Sequence, residues 1–371
     1  MKVAIVHEWL TVIGGSENVF REIAGMFPNA DLYTLIARQE TIKELGLENR
    51  KLTTSFLQGL PFSKKKYRNF LPLFPLAVEQ FDLSEYDLII SSSHAVAKGV
   101  LTHSGQIHVC YCHSPMRYAW DLYYQYLTES GLNSGLKGFF AKLVLHRIRQ
   151  WDMASVNRVD YFIANSNYIG KRIKKVYNRD SVTIYPNVAT ESFEVSFERG
   201  DFYVTCSRLV PYKKIDLVVK AFNQMPDKKL YVIGDGPDFK KVKDIAAENV
   251  IMLGYQPFNE LKKYLSRARA FVFAAEEDFG ILPVEAQACG TPIIAYKKGG
   301  LTETVIENQT GVFFLKQDVE SIVSAVGYFE QNQDKFQPIA ISSHANRFST
   351  ERFRSELSAY LNRLITEHNG H

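Results

Sequence analysis

Two successive series of short β-rich runs, each run followed by a helix-patterned stretch, restrict this chain to an α/β fold. In the first series Lys2–Val6, Asp87–Ser91, Ile107–Cys112 and Tyr161–Ala164 read as buried strands. The loop Gly14-Gly15-Ser16 precedes Glu17–Met26, where Val19, Phe20, Ile23 and Ala24 fall at helical spacing and Ser16 reads as the N-cap. Asn165-Ser166-Asn167 caps a helix that runs to Tyr177. Near Tyr185-Pro186-Asn187 the pattern restarts. Phe202–Ser207, Leu230–Ile233, Val250–Leu253, Ala270–Phe273 and Pro292–Ala295 are strands, separated by helices that include Ile215–Phe222 and one starting near Pro283. The spacing predicts two doubly wound domains, 1–185 and 186–350, linked near residues 185–200. Residues 351–371 hold a last helix, Glu351–Thr366, that is a candidate to complete the first domain.

Composition narrows the class. Apolar residues make up 46% and charged residues 23% of 371, which excludes disorder and fibrous structure for the whole chain. A net charge of +4 is too small for a nucleic-acid binder, so no nucleic-acid partner is expected. Residues 1–185 carry 22 basic and 16 acidic side chains (+6), and the remainder 22 and 24 (−2), so affinity for an anionic surface belongs to the first half. Cys110, Cys112, Cys206 and Cys289 form neither a disulfide framework nor a zinc spacing, and read as buried apolar residues in a reducing cytoplasm. In MKVAIVHEWL, Glu8 and Trp9 interrupt the apolar run, so a signal peptide is not expected. No apolar run reaches the ~18 residues of a membrane span.

In an open α/β sheet, ligands bind beyond the carboxyl ends of the strands, and the chemistry-bearing residues sit there. After Ala270–Phe273 comes Glu276-Glu277-Asp278-Phe279-Gly280-Ile281-Leu282-Pro283-Val284-Glu285. Gly280 lets the backbone approach a ligand, and Pro283 suits a first helical turn. The free N–H groups around Gly280, Ile281 and Leu282, aided by the helix dipole, suit a diphosphate. Glu277 on the loop and Glu285 on the helix can approach one ligand from two directions, as paired acceptors for sugar hydroxyls. Two glutamates eight apart are common in any acidic chain, so their position carries this reading, not their spacing. After Phe202–Ser207, Arg208 and Lys213 supply two cations for a diphosphate leaving group, or else a solvated basic loop. His113 ends the strand Ile107–Cys112, where an imidazole can bond a sugar hydroxyl or can be structural. Gly14-Gly15 is no dinucleotide fingerprint, but it either makes a tight turn or brings amides to a phosphate. Neither Asp235 and Asp238 nor the run Glu276-Glu277-Asp278 has partners at metal-ligand spacing, so no metal and no cofactor are expected.

Taken together, SRLVPYKKIDLVVKAF, VIGDGPD, VIMLGY and EEDFGILPVEAQACGTPIIAYKKGG resemble the retaining glycosyltransferases of family 4, with thinner matches at Gly14-Gly15, CHSPMRY and NSNYI. The resemblance implies the GT-B fold, two Rossmann-like domains facing a central cleft. It makes Glu277 and Glu285 the family's Glu-x7-Glu pair, on the transferred sugar and the ribose respectively. It further places Arg208 and Lys213 on the diphosphate, Gly15 near the phosphates, and His113 near the donor sugar. The amides of Phe279, Gly280, Ile281 and Leu282 then contact sugar and phosphate, and Gly254 and Tyr255 line the base pocket. Asp278 stands where many members have glycine. Retention of configuration is likewise implied by the family alone.

EEDFGILPVEAQACGTP with CHSPMRY looks most like bacterial mannosyltransferases of surface-polysaccharide (O-antigen or capsule) assembly, which implies GDP-mannose as donor and a glycan or polyprenyl-linked acceptor. Residues 58–78 and 131–151 are basic and aromatic without an acid. In the second stretch Phe140, Val144, Ile148 and Trp151 fall at helical spacing. Such stretches suit peripheral contact with an anionic inner membrane face, or a core stripe beside solvated charge. Two other readings fit the same motifs: a nucleotide-sugar isomerase or hydrolase, and a non-catalytic nucleotide- or glycan-binding protein.

Overall fold

The computed structural model describes residues 1–369, which form two compact units. Unit 1 is Met1–Asn187 together with the residues from Phe353 onward; unit 2 is Val188–Arg352.

Unit 1 is built on seven strands: β1 (Val3–Leu10), β2 (Asp31–Ala37), β3 (Leu52–Thr54), β4 (Leu88–Ser93), β5 (Ile107–Cys112), β6 (Tyr161–Ala164) and β7 (Ser181–Thr183). They pair in parallel in the order β3-β2-β1-β4-β5-β6-β7. Side chains alternate between the faces, because successive residues of a strand point opposite ways. Ala4, Val6 and Ile89 pack with Trp9, Phe74 and Ala97 on one side. Ile5, Leu88 and Ile90 pack with Phe20, Ile23 and the last helix on the other. That helix, Thr350–Asn369, contributes Phe353, Leu357, Leu361 and Leu364 to this layer, and Arg354 pairs with Glu22 at 2.8 Å.

Unit 2 holds β8 (Tyr203–Cys206), β9 (Leu230–Ile233), β10 (Val250–Gly254), β11 (Phe271–Phe273), β12 (Ile293–Tyr296) and β13 (Gly311–Phe314). All pair in parallel, in the order β10-β9-β8-β11-β12-β13. Both sheets thus share the doubly wound order 3-2-1-4-5-6, extended by one strand in unit 1.

Two local expectations need correction. The first strand runs four residues past Val6, and Glu8 and Trp9 belong to it, buried at 0% and 8% exposure. Glu8 is tolerated there because its Oε1 accepts from Ser93 Oγ and from the N–H groups of His94, Ala95 and Ala97, at 2.8–3.2 Å. Burial works to raise its carboxyl, but the His94 imidazole 3.1 Å away helps hold it far below the ordinary carboxylate range. The following helix is Gly15–Met26, with Gly14, not Ser16, at the N-cap. Glu17 reaches back to accept from the Gly14 N–H at 2.9 Å, which satisfies the helix start without a serine. The Asn165-Ser166-Asn167 cap is present: Ser166 Oγ accepts from the Ile169 N–H at 3.1 Å.

Candidate functional site

In each sheet the winding reverses between two adjacent strands, and the loops leaving their carboxyl ends diverge to open a crevice. In unit 2 those strands are β8 and β11. Arg208 and Lys213 follow β8; Glu277, Phe279–Leu282 and Glu285 follow β11. The winding therefore delivers these residues to one edge.

Lys213 makes an ion pair with Glu277, and each side chain is 17% exposed. Lys213 Nζ also lies over the rings of Tyr212 and Phe273, at 5.6 and 5.9 Å from their centroids. Arg208 is exposed and makes no ion pair among the described residues. Its loop is braced from β9: the Leu209 N–H donates to Asp235 O, and the Asp238 N–H to Leu209 O. This contact depends on two glycines. A Cβ on Gly234 would stand 1.9 Å from Ser207 O, and one on Gly236 2.3 Å from Leu209 O.

The loop after β11 is held in the same way. Glu277 bridges to Gly299 and its carbonyl accepts from the Gly300 N–H at 2.8 Å. Phe279 is buried with its ring edge-on to Phe348, so its side chain anchors the loop. Gly280, at φ 95°, caps the helix Ile281–Ala288. The Ile281 and Leu282 N–H groups belong to its first turn, where no intrahelical acceptor exists, and Pro283 has no N–H to satisfy. Glu285 lies in the second turn, half-buried and recessed, and burial raises its carboxyl to about 7. Burial pushes the Cys206 thiol at the end of β8 up to about 12, with Glu285 adding to the shift and Lys213 opposing it. Gly254 (φ 67°) ends β10, two strands from β8, and the 76%-exposed Tyr255 follows it; Gly254 O accepts from the Gly234 N–H.

In unit 1 the reversal lies between β1 and β4. Gly14 and Gly15 leave β1 and open a helix, so the Gly15 N–H has no intrahelical partner. His113 follows β5 and is 8% exposed. Its Nε2 lies 2.9 Å from Ser92 Oγ, and its ring meets that of Tyr111 edge-on. Burial, with the charges of His94 and His7, lowers His113 to about 3, so its ring is neutral at ordinary pH.

Sequence reasoning missed the partners that shape these edges. Gly234 and Gly236 read only as a turn, and Gly299 and Gly300 only as part of a motif; their doubled glycines were the available signal. His7, Glu17, Ser92 and His94 carried no signal of their own. Among the described residues no three His, Cys, Asp or Glu side chains gather to hold a metal ion.

The helix Gly135–Ser155 divides the second basic stretch. Ile148 is core, and Val144 and Trp151 pack partly against it. Phe140, read with them as one stripe, is 61% exposed. It joins Leu136, Phe139 and Leu143, which are 80%, 63% and 43% exposed at positions i, i+3, i+4 and i+7 of one face. In residues 58–78, Tyr67 and Phe74 pack on Trp9, while Phe62, Leu76, Lys64, Lys65 and Lys66 stay exposed. Among the described residues no helix is long and apolar enough to cross a membrane.

Comparison with known proteins finds two matching family models, each over just under half of the chain. Residues 13–192 match the model described as Glycosyltransferase Family 4, and residues 171–345 match Glycosyl transferases group 1. A GDP-mannose-dependent alpha-(1-6)-phosphatidylinositol monomannoside mannosyltransferase of Mycolicibacterium smegmatis is 33% identical over 33% of this chain and 37% of its own. The N-acetyl-alpha-D-glucosaminyl L-malate synthase of Bacillus anthracis is 24% identical over 80% of this chain and 84% of its own. In five curated relatives, the M. smegmatis protein included, the match spans only 34% to 54% of the relative's length. Anabaena HepE, solved with UDP, superposes with a TM-score of 0.72 at 18% identity, over 98% of this chain and 100% of its own.

Proposed function

We propose that this chain transfers a sugar from a nucleotide-sugar donor to a glycan or lipid-linked acceptor, with GDP-mannose as the donor; the two glycosyltransferase models that it matches, each over just under half of its length, support this reading. The observation that carries this reading is the crevice edge of unit 2, where one exposed cation, one paired cation, a helix start and two carboxylates follow adjacent strands. Cleavage of the bond between sugar and diphosphate leaves positive charge on the sugar and adds negative charge to the departing phosphate. Arg208, Lys213 and the Ile281 and Leu282 amides stabilise that growing charge. Glu277 accepts from a hydroxyl of the sugar and Glu285 from the ribose. Gly14, Gly15 and His113 are assigned to phosphate and sugar by the family resemblance alone, and Tyr255 offers a flat face to the base. In a retaining reaction the leaving phosphate takes the acceptor's proton. The M. smegmatis relative's donor supports mannose.

The test is a panel of GDP-mannose, UDP-glucose and UDP-GlcNAc, read by thermal shift and by release of nucleoside diphosphate. GDP-mannose should raise Tm most and be consumed when an acceptor is present. Stabilisation by none of the panel would reject the donor-binding reading; preference for a UDP sugar would reject mannose.

We further propose that unit 1 docks on an anionic membrane surface through Leu136, Phe139, Phe140 and Leu143, flanked by the exposed Lys137, Lys142 and Arg147. Four exposed apolar side chains on one helix face beside cations supply both attractions such a surface offers. In flotation with phosphatidylglycerol vesicles at low salt the chain should rise with the lipid. Phe139→Ser with Phe140→Ser should cut partitioning at least ~150-fold, because two buried aromatic side chains contribute roughly 1.5–3 kcal/mol each. A wild-type chain that stays at the bottom of the gradient defeats this proposal.

A further inference from the structure

We propose that Ser92 is a positioning residue for His113: its hydroxyl donates to His113 Nε2 and holds the ring's proton on Nδ1, so that His113 meets its ligand as an N–H donor. The catalytic part of this inference rests on the proposed role of His113 toward the donor sugar.

The geometry fixes the direction of each bond. His7 on β1 and Ser92 on β4 are register partners on adjacent parallel strands. His7 Nδ1 lies 3.0 Å from the Ser92 carbonyl oxygen and 3.2 Å from Ser92 Oγ. A carbonyl only accepts, so Nδ1 carries a proton, and the same N–H faces the hydroxyl oxygen. Approached by a donor on that side, the hydroxyl directs its own proton elsewhere. The acceptor at hand is His113 Nε2, 2.9 Å away. A nitrogen that accepts holds no proton, so the neutral ring keeps its hydrogen on Nδ1. That nitrogen makes no hydrogen bond among the described residues.

The far end of the chain of contacts is anchored as well. Glu17 Oε1 faces His7 Nε2 at 3.4 Å, and Glu17 Oε2 accepts from the Gly14 N–H at 2.9 Å. Burial works to raise the Glu17 carboxyl, and the His7 ring against it helps bring it below its ordinary value. His7, Glu17 and Ser92 are all buried, so the relay from the glycine loop to His113 is dry. Free histidine favours the proton on Nε2. Ser92 therefore selects the less common tautomer, and the wall behind it keeps the choice.

The test is the long-range 1H–15N spectrum of the full chain with labelled histidine, with the His113 signal identified by its loss in His113→Gln. The wild-type signal should show a protonated Nδ1 and a bare Nε2. Ser92→Ala should move it toward a protonated Nε2, and Ser92→Thr, which keeps the hydroxyl, should not. In donor turnover Ser92→Ala should lower kcat about tenfold, the worth of one hydrogen bond realised in the transition state, and change KM less than about twofold. Ser92→Thr should recover most of the rate. A wild-type ring protonated on Nε2, or a tautomer that Ser92→Ala leaves unchanged, overturns the proposal. So does a Ser92→Ala enzyme with the wild-type rate. Should Ser92→Ala fail to fold, the wild-type and Ser92→Thr spectra decide alone. If the wild type turns over no nucleotide sugar, the proposed function falls, and the tautomer still stands or falls on its spectrum.

Discussion

With Arg208 replaced by alanine, kcat should fall about 10²- to 10³-fold, the loss seen when one preorganised donor to a developing negative charge is removed. KM for the donor should move far less, because the bound diphosphate carries less charge on the leaving oxygen than the departing one does. The structure makes this substitution clean. Arg208 is exposed and without an ion pair among the described residues, so nothing in the fold loses a partner when it goes. Lys213 behaves differently: its removal also frees Glu277, so Lys213→Ala combines a lost cation with a displaced carboxylate. Steady-state kinetics at saturating donor separates the two. An Arg208→Ala enzyme with undiminished kcat would remove Arg208 from the chemistry.

Gly299→Ala should lower the unfolding free energy by about 2–5 kcal/mol and abolish saturable donor binding. The residue sits at φ 74°, which costs an L side chain, and its added Cβ would stand 2.3 Å from Glu277 O. Backbone is in the way, so a rotamer change cannot relieve the clash. The loop from Glu277 to Phe279 must move, and the carboxylate moves with it. Gly327→Ala is the matched control: within the helix Val319–Gln331 its Cβ meets nothing, so stability should hold or rise. Urea melts and calorimetry with GDP measure both variants. Wild-type stability and binding in Gly299→Ala would show that the close approach of the two loops is not needed.

The main architecture was legible because parallel strands covered on both faces are continuous apolar runs, as in Ile107–Cys112 and Tyr161–Ala164, and such runs stand out from helical patterns. Edge strands escaped. Leu52–Thr54 and Ser181–Thr183 are three residues long and half-exposed, so they carry no apolar signature. The first strand was read short for a different reason. Glu8 counts as a strand breaker in a sequence window, and only the fold supplies the four donors that make it tolerable. The same limit governs the site. Glu277, Glu285, Arg208 and Lys213 were visible because charge after an apolar run is conspicuous. Ser92 was invisible, since a serine in a strand says nothing until His7 and His113 lie on either side of it. In Gly135–Ser155 the periodicity was real but ran on two faces: Ile148 inward, Phe140 outward.

The composition of unit 1 has a consequence for how the polypeptide comes into being. Its apolar layer beneath β1 and β4 is closed by Phe353, Leu357, Leu361 and Leu364, whereas unit 2 is one uninterrupted stretch of chain. A ribosome therefore releases everything the second unit requires while the first still has a bare hydrophobic flank. Unit 1 is translated before unit 2 and sealed after it, and until Phe353, Leu357, Leu361 and Leu364 emerge it presents a greasy surface that chaperones would recognise.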